Sequence, residues 1–123
     1  MMSSLKGKRV VVTGSSRGIG WGIAQGFAQA GADLHLIADD AAVHERAREI
    51  SATAAEADIT DRQQVASALA GLSHIDVLVN NAGLELLTPV ADDSDETFGR
   101  FRRIIEINVI GTALVTSLSL PLM

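Results

Sequence analysis

The stretch Thr13-Gly14-Ser15-Ser16-Arg17-Gly18-Ile19-Gly20 constrains this chain more than any other. It follows three consecutive valines, Val10 to Val12, and precedes a segment with apolar residues at Ile19, Ile23 and Phe27. An unbroken β-branched run reads as a strand covered on both faces, and an i, i+4, i+8 stripe reads as a helix laid on it. Glycines at 14, 18 and 20 leave the turn between them without β-carbons to fend off a ligand. Free N–H groups at the start of the helix then offer donors and partial positive charge to a diphosphate. The spacing is G-x-x-x-G-x-G, not the G-x-G-x-x-G of the commoner dinucleotide turn. Gly14, Ser15, Ser16, Arg17, Gly18, Ile19 and Gly20 are the candidate ligand residues.

The rest of the chain repeats the same alternation. Gly22 and Gly26 sit inside the first helix at about 1 kcal/mol each relative to alanine, and a close helix-to-sheet approach is the expected return. Gly31 is expected to end that helix as a left-handed cap. Leu34 to Ala38 reads as a second strand closed by Asp39-Asp40, and Ala41 to Ser51 as a short helix. Ala57 to Ile59 reads as a third strand, and Thr60 with Gln63 forms a capping box for a helix to about Leu69. Ile75 to Val79 is the fourth strand and runs into Asn80-Asn81-Ala82-Gly83. The acidic loop Asp92 to Asp95 is expected to cap a long helix from about Glu96 to the end of the chain. Phe101, Ile104, Ile105, Gly111, Thr112, Val115 and Leu118 mark its sheet-facing side at 3.6 spacing. Strands alternating with helices predict an α/β, Rossmann-type, doubly wound parallel sheet with right-handed crossovers, in the order 3-2-1-4. Residues 1–123 read as one domain.

Composition narrows the function. A net charge of −5 argues against a nucleic-acid surface, which needs clustered Lys and Arg. No cysteine means no disulfide and no thiolate metal site. His35, His44 and His74 have no chelating spacing, so no metal is expected. The first eight residues are too short and polar for a signal peptide, and no run of about 18 apolar residues is seen, so a soluble cytoplasmic protein is expected. The chain also contains no tyrosine.

Several polar residues stand where chemistry is to be expected. Asp39 lies 19 residues beyond Gly20 at the end of the second strand, where a carboxylate accepts hydrogen bonds from an adenosine ribose. It would repel a 2′-phosphate, with Asp40 serving as helix cap. Arg17 is placed to meet that phosphate and pulls the other way. NAD(H) is therefore expected over NADP(H). Asp58 can accept from an adenine amino group while the Ile59 backbone offers edge contacts; strand-end polarity explains Asp58 almost as well. Asn80 and Asn81, directly after Val77-Leu78-Val79, are expected to be well buried, one pinning neighbouring strands and the other facing a crevice. Ala82-Gly83 leaves room for a ribose. Asn108 shares the apolar stripe of the last helix, either as a structural amide bonded to a neighbouring turn or also as a catalytic one. Trp21 reads as packed or half exposed, and Arg100, Arg102 and Arg103 as surface partners of the acidic loop.

Taken together, Thr13-Gly14-x-x-x-Gly18-Ile19-Gly20, Asp58-Ile59-Thr60, Asn80-Asn81-Ala82-Gly83 and Asn108-Val109-x-Gly111 resemble the short-chain dehydrogenase/reductase family over nearly the whole chain. The resemblance implies hydride transfer between NAD(P)(H) and a carbonyl or alcohol, in a homo-oligomer. It implies that the glycine loop binds the diphosphate, and that Asp58, Asn81, Ala82 and Gly83 line the adenine and ribose pockets. It further implies that Asn108 belongs to a catalytic tetrad with a serine, a tyrosine and a lysine. The sequence departs from that pattern. Ala38 stands where the family usually has an acidic residue, and Lys6 and Lys8 are the only lysines. The expectation is a cofactor-binding half, inactive alone, that ends before the serine and the Tyr-x-x-x-Lys motif. A dinucleotide-binding or assembly fragment without chemistry is the alternative.

Overall fold

The computed structural model describes residues 4–123. Its elements are β1 (Arg9–Thr13), α1 (Gly18–Gln29), β2 (Asp33–Ala38), α2 (Ala42–Glu49), β3 (Thr53–Glu56), α3 (Arg62–Leu69), β4 (Val77–Val79), α4 (Asp95–Ile105) and α5 (Thr112–Ser119). The strands form one parallel sheet in the order β3-β2-β1-β4, as the sequence predicts. Successive strand residues point to opposite faces, so the valine run serves two cores at once. Val10 and Val12 join Leu34, Leu36 and Ala24 on the side of α1 and α2. Val11 joins Ile37, Val65, Leu69 and Val115 on the side of α3 and α5.

Details of the helices depart from the pattern. Ile19 is 78% exposed, so the stripe of α1 begins one turn later, with Ala24 buried and Ile23 and Phe27 packed against the core. Gly22 and Gly26 have open space around them; the close approach occurs at Gly20 instead, where an added Cβ would strike the Gly14 carbonyl. Gly31 does take a left-handed φ of +89°. Its N–H donates to the Ala28 carbonyl at 3.0 Å.

β3 lies at Thr53–Glu56 rather than at Ala57 to Ile59. β2 ends at Ala38, which pairs with Glu56, and the last bond runs from Ala57 N to the Ala38 carbonyl at 2.8 Å. Past that point the backbone has no ladder to join, and Ala57 and Ile59 are buried as loop residues. The cap of α3 is shifted one residue from the expected pair. Asp61 accepts from Gln64 N at 3.1 Å and from Gln64 Nε2 at 3.2 Å, while Thr60 is held by Asp58. β4 is limited to Val77–Val79, which pair with Val10 to Val12 of β1.

The acidic loop caps α4 through Ser94, which accepts from Thr97 N at 3.2 Å, and Asp92, which accepts from Thr97 Oγ1 at 2.7 Å. Between α4 and α5, Glu106–Gly111 form a π-helical turn, and Leu120–Leu122 close the chain in a 3₁₀ turn. The π turn carries an extra residue, so a stripe traced at constant 3.6 spacing lands on different faces before and after it. Gly111 and Val115 accordingly reach the core, whereas Phe101 and Ile105 are exposed. The continuous helical stretch Asp95–Leu122 is, by length and composition alone, apolar enough to cross a membrane, a property hidden in the sequence by the polar residues scattered through it.

Candidate functional site

The loops after all four strands emerge at one edge of the sheet. Between β1 and β4 the strand order reverses direction, the place where open α/β sheets form a ligand crevice. A cleft of about 300 Å³ opens there. Its walls include Gly14, Ser16, Arg17, Gly18, Asp39, Asp40, Asp58, Ile59, Asn81, Ala82 and Gly83, all singled out from sequence. Ser15, Ile19, Gly20 and Asn108 do not line it.

Thr13 ties the two central loops together. Its buried hydroxyl accepts from Asn81 N at 3.1 Å and Ala82 N at 3.0 Å, and donates to the Val79 carbonyl at 3.4 Å. Asn81 Nδ2 donates in turn to the Thr13 and Gly14 carbonyls, at 3.2 and 3.1 Å. These bonds bring the Gly14 backbone against Ala82. A Cβ on Gly14 would stand 2.8 Å from the Ala82 Cα, and Gly14 itself has φ +64°. Asn81 thus does the pinning that sequence assigned to one of the two amides, and it also lines the crevice. Neither amide is well buried, however. Asn80 is exposed, and its Nδ2 donates to Thr116 Oγ1 at 3.0 Å. A three-residue strand at the edge of the sheet is too short to bury the two amides that come after it.

The amino end of α1 is left open. Helices α3 and α4 have side-chain caps, from Asp61 and Ser94; α1 has none. Ser15 and Ser16 are both near enough in sequence to cap it, yet their hydroxyls turn away. Ser15 Oγ donates to the Ile37 carbonyl at 3.3 Å, and Ser16 Oγ donates to Asp40 Oδ2 at 2.8 Å. The first-turn N–H groups of α1 therefore keep their donors, next to a crevice floored by glycine. Ser15 is a support for the loop rather than a wall of the crevice.

The carboxylates divide into two kinds. Asp40 is committed: it receives Ser16 Oγ on one oxygen and Ala42 N at 3.0 Å on the other, but it stands one residue ahead of Ala41, the N-cap of α2, and so is not the helix cap expected from sequence. Asp39 is exposed at the crevice wall. Asp58 accepts from Thr60 N at 2.9 Å and Thr60 Oγ1 at 2.7 Å on one oxygen, and from Arg103 Nη2 at 3.4 Å on the other. The Thr60 bonds first, then Arg103, hold its carboxyl below the usual range. Arg103 does not pair with the acidic loop, as its position in sequence suggests. It lines the crevice instead and also donates to Glu106 Oε1 at 2.9 Å. Asp58 and Arg103 are 45 residues apart, a pairing that no local spacing announces.

Asn108 sits on the π turn, a distortion often found at functional sites. Its Oδ1 accepts from Leu84 N at 2.7 Å and its Nδ2 donates to Leu84 O at 2.9 Å. The side chain is thus bonded to a neighbouring turn, just beyond Gly83 at the crevice wall. Beyond Arg103, sequence reasoning missed Leu84 and Ile107, apolar wall residues with nothing in their spacing to mark them. His35 belongs to the core: Nδ1 meets Thr53 Oγ1 at 2.7 Å and Nε2 meets the Ala68 carbonyl at 2.8 Å. Burial first of all lowers its pKa. Among the described residues no group of three or more His, Asp or Glu is placed to hold a metal ion.

The sequence pattern described as short chain dehydrogenase matches residues 8–123. The chain belongs to that family. It is 37% identical over 122 residues to L-fucose dehydrogenase of Mus musculus, covering 94% of this chain and 44% of the relative. It is 38% identical over 129 residues to oxidoreductase UcpA of Salmonella typhimurium, covering 98% and 48%. Among solved structures, it superposes on 3-ketoacyl-(acyl-carrier-protein) reductase from Brucella melitensis complexed with NADH. That match has a TM-score of 0.85 at 35% identity, over 97% of this chain and 51% of the other. A short chain dehydrogenase from Escherichia coli CFT073 complexed with NADPH matches with a TM-score of 0.85 at 25% identity, over 99% and 55%. The short-chain dehydrogenase chain described here therefore spans about half the length of the relatives it matches.

Proposed function

We propose that the crevice binds a nicotinamide dinucleotide and that the chain is the cofactor-binding part of an oxidoreductase acting on a carbonyl or alcohol. The observation that carries this is the uncapped amino end of α1 at the strand-order reversal, beside a Gly14–Ala82 contact too close for any side chain. Gly14, Ser16, Arg17 and Gly18 of the crevice wall would hold the diphosphate, together with the Ile19 and Gly20 N–H groups in the first turn of α1, whose residues are not themselves part of that wall. Asp39 would hold the adenosine ribose, Asp58 and Ile59 the adenine, and Asn81, Ala82 and Gly83 the other ribose. When bound, the cofactor would donate hydride to a carbonyl in its reduced form or accept it from an alcohol in its oxidised form. Asn108 would act beside it in a proton relay, its amide oriented by Leu84. Dehydrogenase names among the relatives, L-fucose dehydrogenase included, support the alcohol or carbonyl assignment.

NAD(H) is the preferred cofactor in this reading. The Asp39 carboxylate opposes a 2′-phosphate, and Asp40 beside it is fixed by Ser16. A carboxylate facing a phosphate costs about 1–3 kcal/mol, or roughly tenfold to a hundredfold in affinity. Titration of NAD⁺ and NADP⁺ tests it: tighter NADP⁺ binding, or an unchanged preference in Asp39→Ala, refutes the preference. The protein is further proposed to be cytoplasmic and to assemble with a second copy. Phe98, Phe101 and Ile105 follow one face of α4 and are all exposed. The second reading, a binding or assembly element without chemistry, is favoured by one observation: these 123 residues contain no tyrosine.

A further inference from the structure

Arg46 lies on α2, outside the crevice, and dinucleotide binding as described gives it no part. Its Nε donates to the Ser16 carbonyl at 3.0 Å. Its guanidinium carbon is 4.9 Å from the centre of the Trp21 ring, and Nη1 is 3.5 Å from Glu49 Oε2. One side chain thus joins the glycine turn to α1 and α2. The Ser16 carbonyl and the Arg17 N–H belong to a single planar trans peptide, so they point in opposite directions. Fixing the carbonyl on Arg46, away from the crevice, commits the Arg17 N–H to the other side. A rotated peptide would turn an oxygen, not a donor, towards an anion. Ser16 is buried and its hydroxyl is held by Asp40, while the Arg46 bond is the one that holds the carbonyl of this peptide.

We propose that Arg46 is a positioning residue for anion binding: it holds the Ser16–Arg17 peptide with its N–H presented to a diphosphate, on a platform supplied by Trp21. The proposal rests on the dinucleotide reading above. Lysine cannot substitute. A guanidinium lies flat on an indole while donating in its own plane; an ammonium is a point charge without that fork.

The test compares the wild-type chain with Arg46→Met and Arg46→Lys, using calorimetric titration of NAD⁺, ADP and adenosine. Trp21 is the only tryptophan and there is no tyrosine, so intrinsic emission comes from the ring that Arg46 covers. Arg46→Met is expected to weaken NAD⁺ and ADP by about tenfold, leave adenosine unchanged and shift Trp21 emission. Arg46→Lys is expected to restore none of the lost affinity. Unchanged NAD⁺ affinity in Arg46→Met overturns the proposal, as does an equal loss for adenosine, which would mean general loosening. Should Arg46→Met fail to fold, Trp21→Leu keeps the Ser16 bond and is expected to weaken NAD⁺ by about threefold; no change overturns the platform. A wild-type chain that binds none of the three probes refutes the dinucleotide reading by itself. The carbonyl carbon-13 shift of Ser16 then decides the positioning claim: an upfield move in Arg46→Met, as the lost hydrogen bond requires, supports it, and an unchanged shift overturns it.

Discussion

Gly14 and Gly18 adopt nearly the same left-handed backbone, at φ +64° and +60°, in very different surroundings. Replacing either with alanine incurs the left-handed penalty of about 1–2 kcal/mol, partly offset by about 0.4–1 kcal/mol from a stiffer unfolded chain. Gly18→Ala meets nothing within 4 Å, so its total cost should be about 1 kcal/mol. Gly14→Ala places a methyl 2.8 Å from the Ala82 Cα and 3.0 Å from its nitrogen, both backbone atoms. Carbon contacts are comfortable at about 3.5 Å or more, so the loop after β4 must retreat. That retreat breaks the bonds from Ala82 N to Thr13 Oγ1 and from Asn81 Nδ2 to Gly14 O, at about 1 kcal/mol each. The expected cost of Gly14→Ala is about 3 kcal/mol, against a total domain stability of roughly 5–15 kcal/mol. Urea titrations followed by far-ultraviolet circular dichroism, at matched protein concentration, measure both. Equal losses for the two variants would refute the claim that the β1–β4 loop contact, rather than backbone conformation, makes glycine necessary at position 14.

The remaining predictions concern the rest of the site and the core. Asn108→Ala removes both bonds to Leu84 and should cost about 1–2 kcal/mol by thermal unfolding; in the active oxidoreductase it should lower turnover far more than cofactor affinity. His35 has a lowered pKa, chiefly from burial, so its neutral form is favoured by folding. Its stabilising effect is then fully present above about pH 6.5 and declines as pH falls below that, because the unfolded chain takes up the proton first. Melting temperatures from pH 8 to about pH 5 should show that decline, and His35→Gln should flatten it. The 123-residue chain should give no NAD(H)-dependent turnover over a panel of carbonyls and alcohols, since it has no tyrosine to act as acid or base; turnover without any added fragment would refute this.

The architecture is legible in the sequence because its signals are local and redundant. The Val10–Val12 run, the glycine turn and the Asn81-Ala82-Gly83 loop each specify a short backbone conformation, and alternation supplies the sheet order. The features that escape depend on pairing between distant segments. β3 lies four residues before the place its apolar pattern suggests, because Thr53-Ala54-Ala55-Glu56 carries little such pattern; its strand character comes from β2 beside it. The buried face of α4 is misread at constant spacing because a π turn breaks the 3.6 count at Glu106, a change that no residue in the segment marks. Proximity in sequence assigns Arg103 to the acidic loop, whereas Asp58 competes for it from across the crevice. Within the site, residue identity is readable and hydrogen-bond ownership is not. Two adjacent serines and two adjacent aspartates look interchangeable until the Ser16–Asp40 bond separates them.

Under the proposed function, that ownership is what would turn a glycine turn into a binding site. An anion needs donors without partners and an absence of competing oxygens, and a loop of free peptides offers neither reliably. Here the inconvenient groups are removed one by one. The Thr13 and Gly14 carbonyls are taken by Asn81, the Ser16 carbonyl by Arg46, the Ser15 hydroxyl by Ile37 and the Ser16 hydroxyl by Asp40. The donors at the head of α1 are what remain, already oriented and with little left to reorganise when a ligand arrives. The partners come from β2, α2 and the loop after β4, separated by up to 68 residues, so the site exists only once the β1–β2 and β1–β4 pairs have formed. Ligand binding at the proposed site would therefore draw on the same contacts that close the sheet. A substitution that loosens either pair should lower affinity and stability together, whereas one that changes only an exposed crevice carboxylate such as Asp39 should alter cofactor preference and leave stability nearly unchanged.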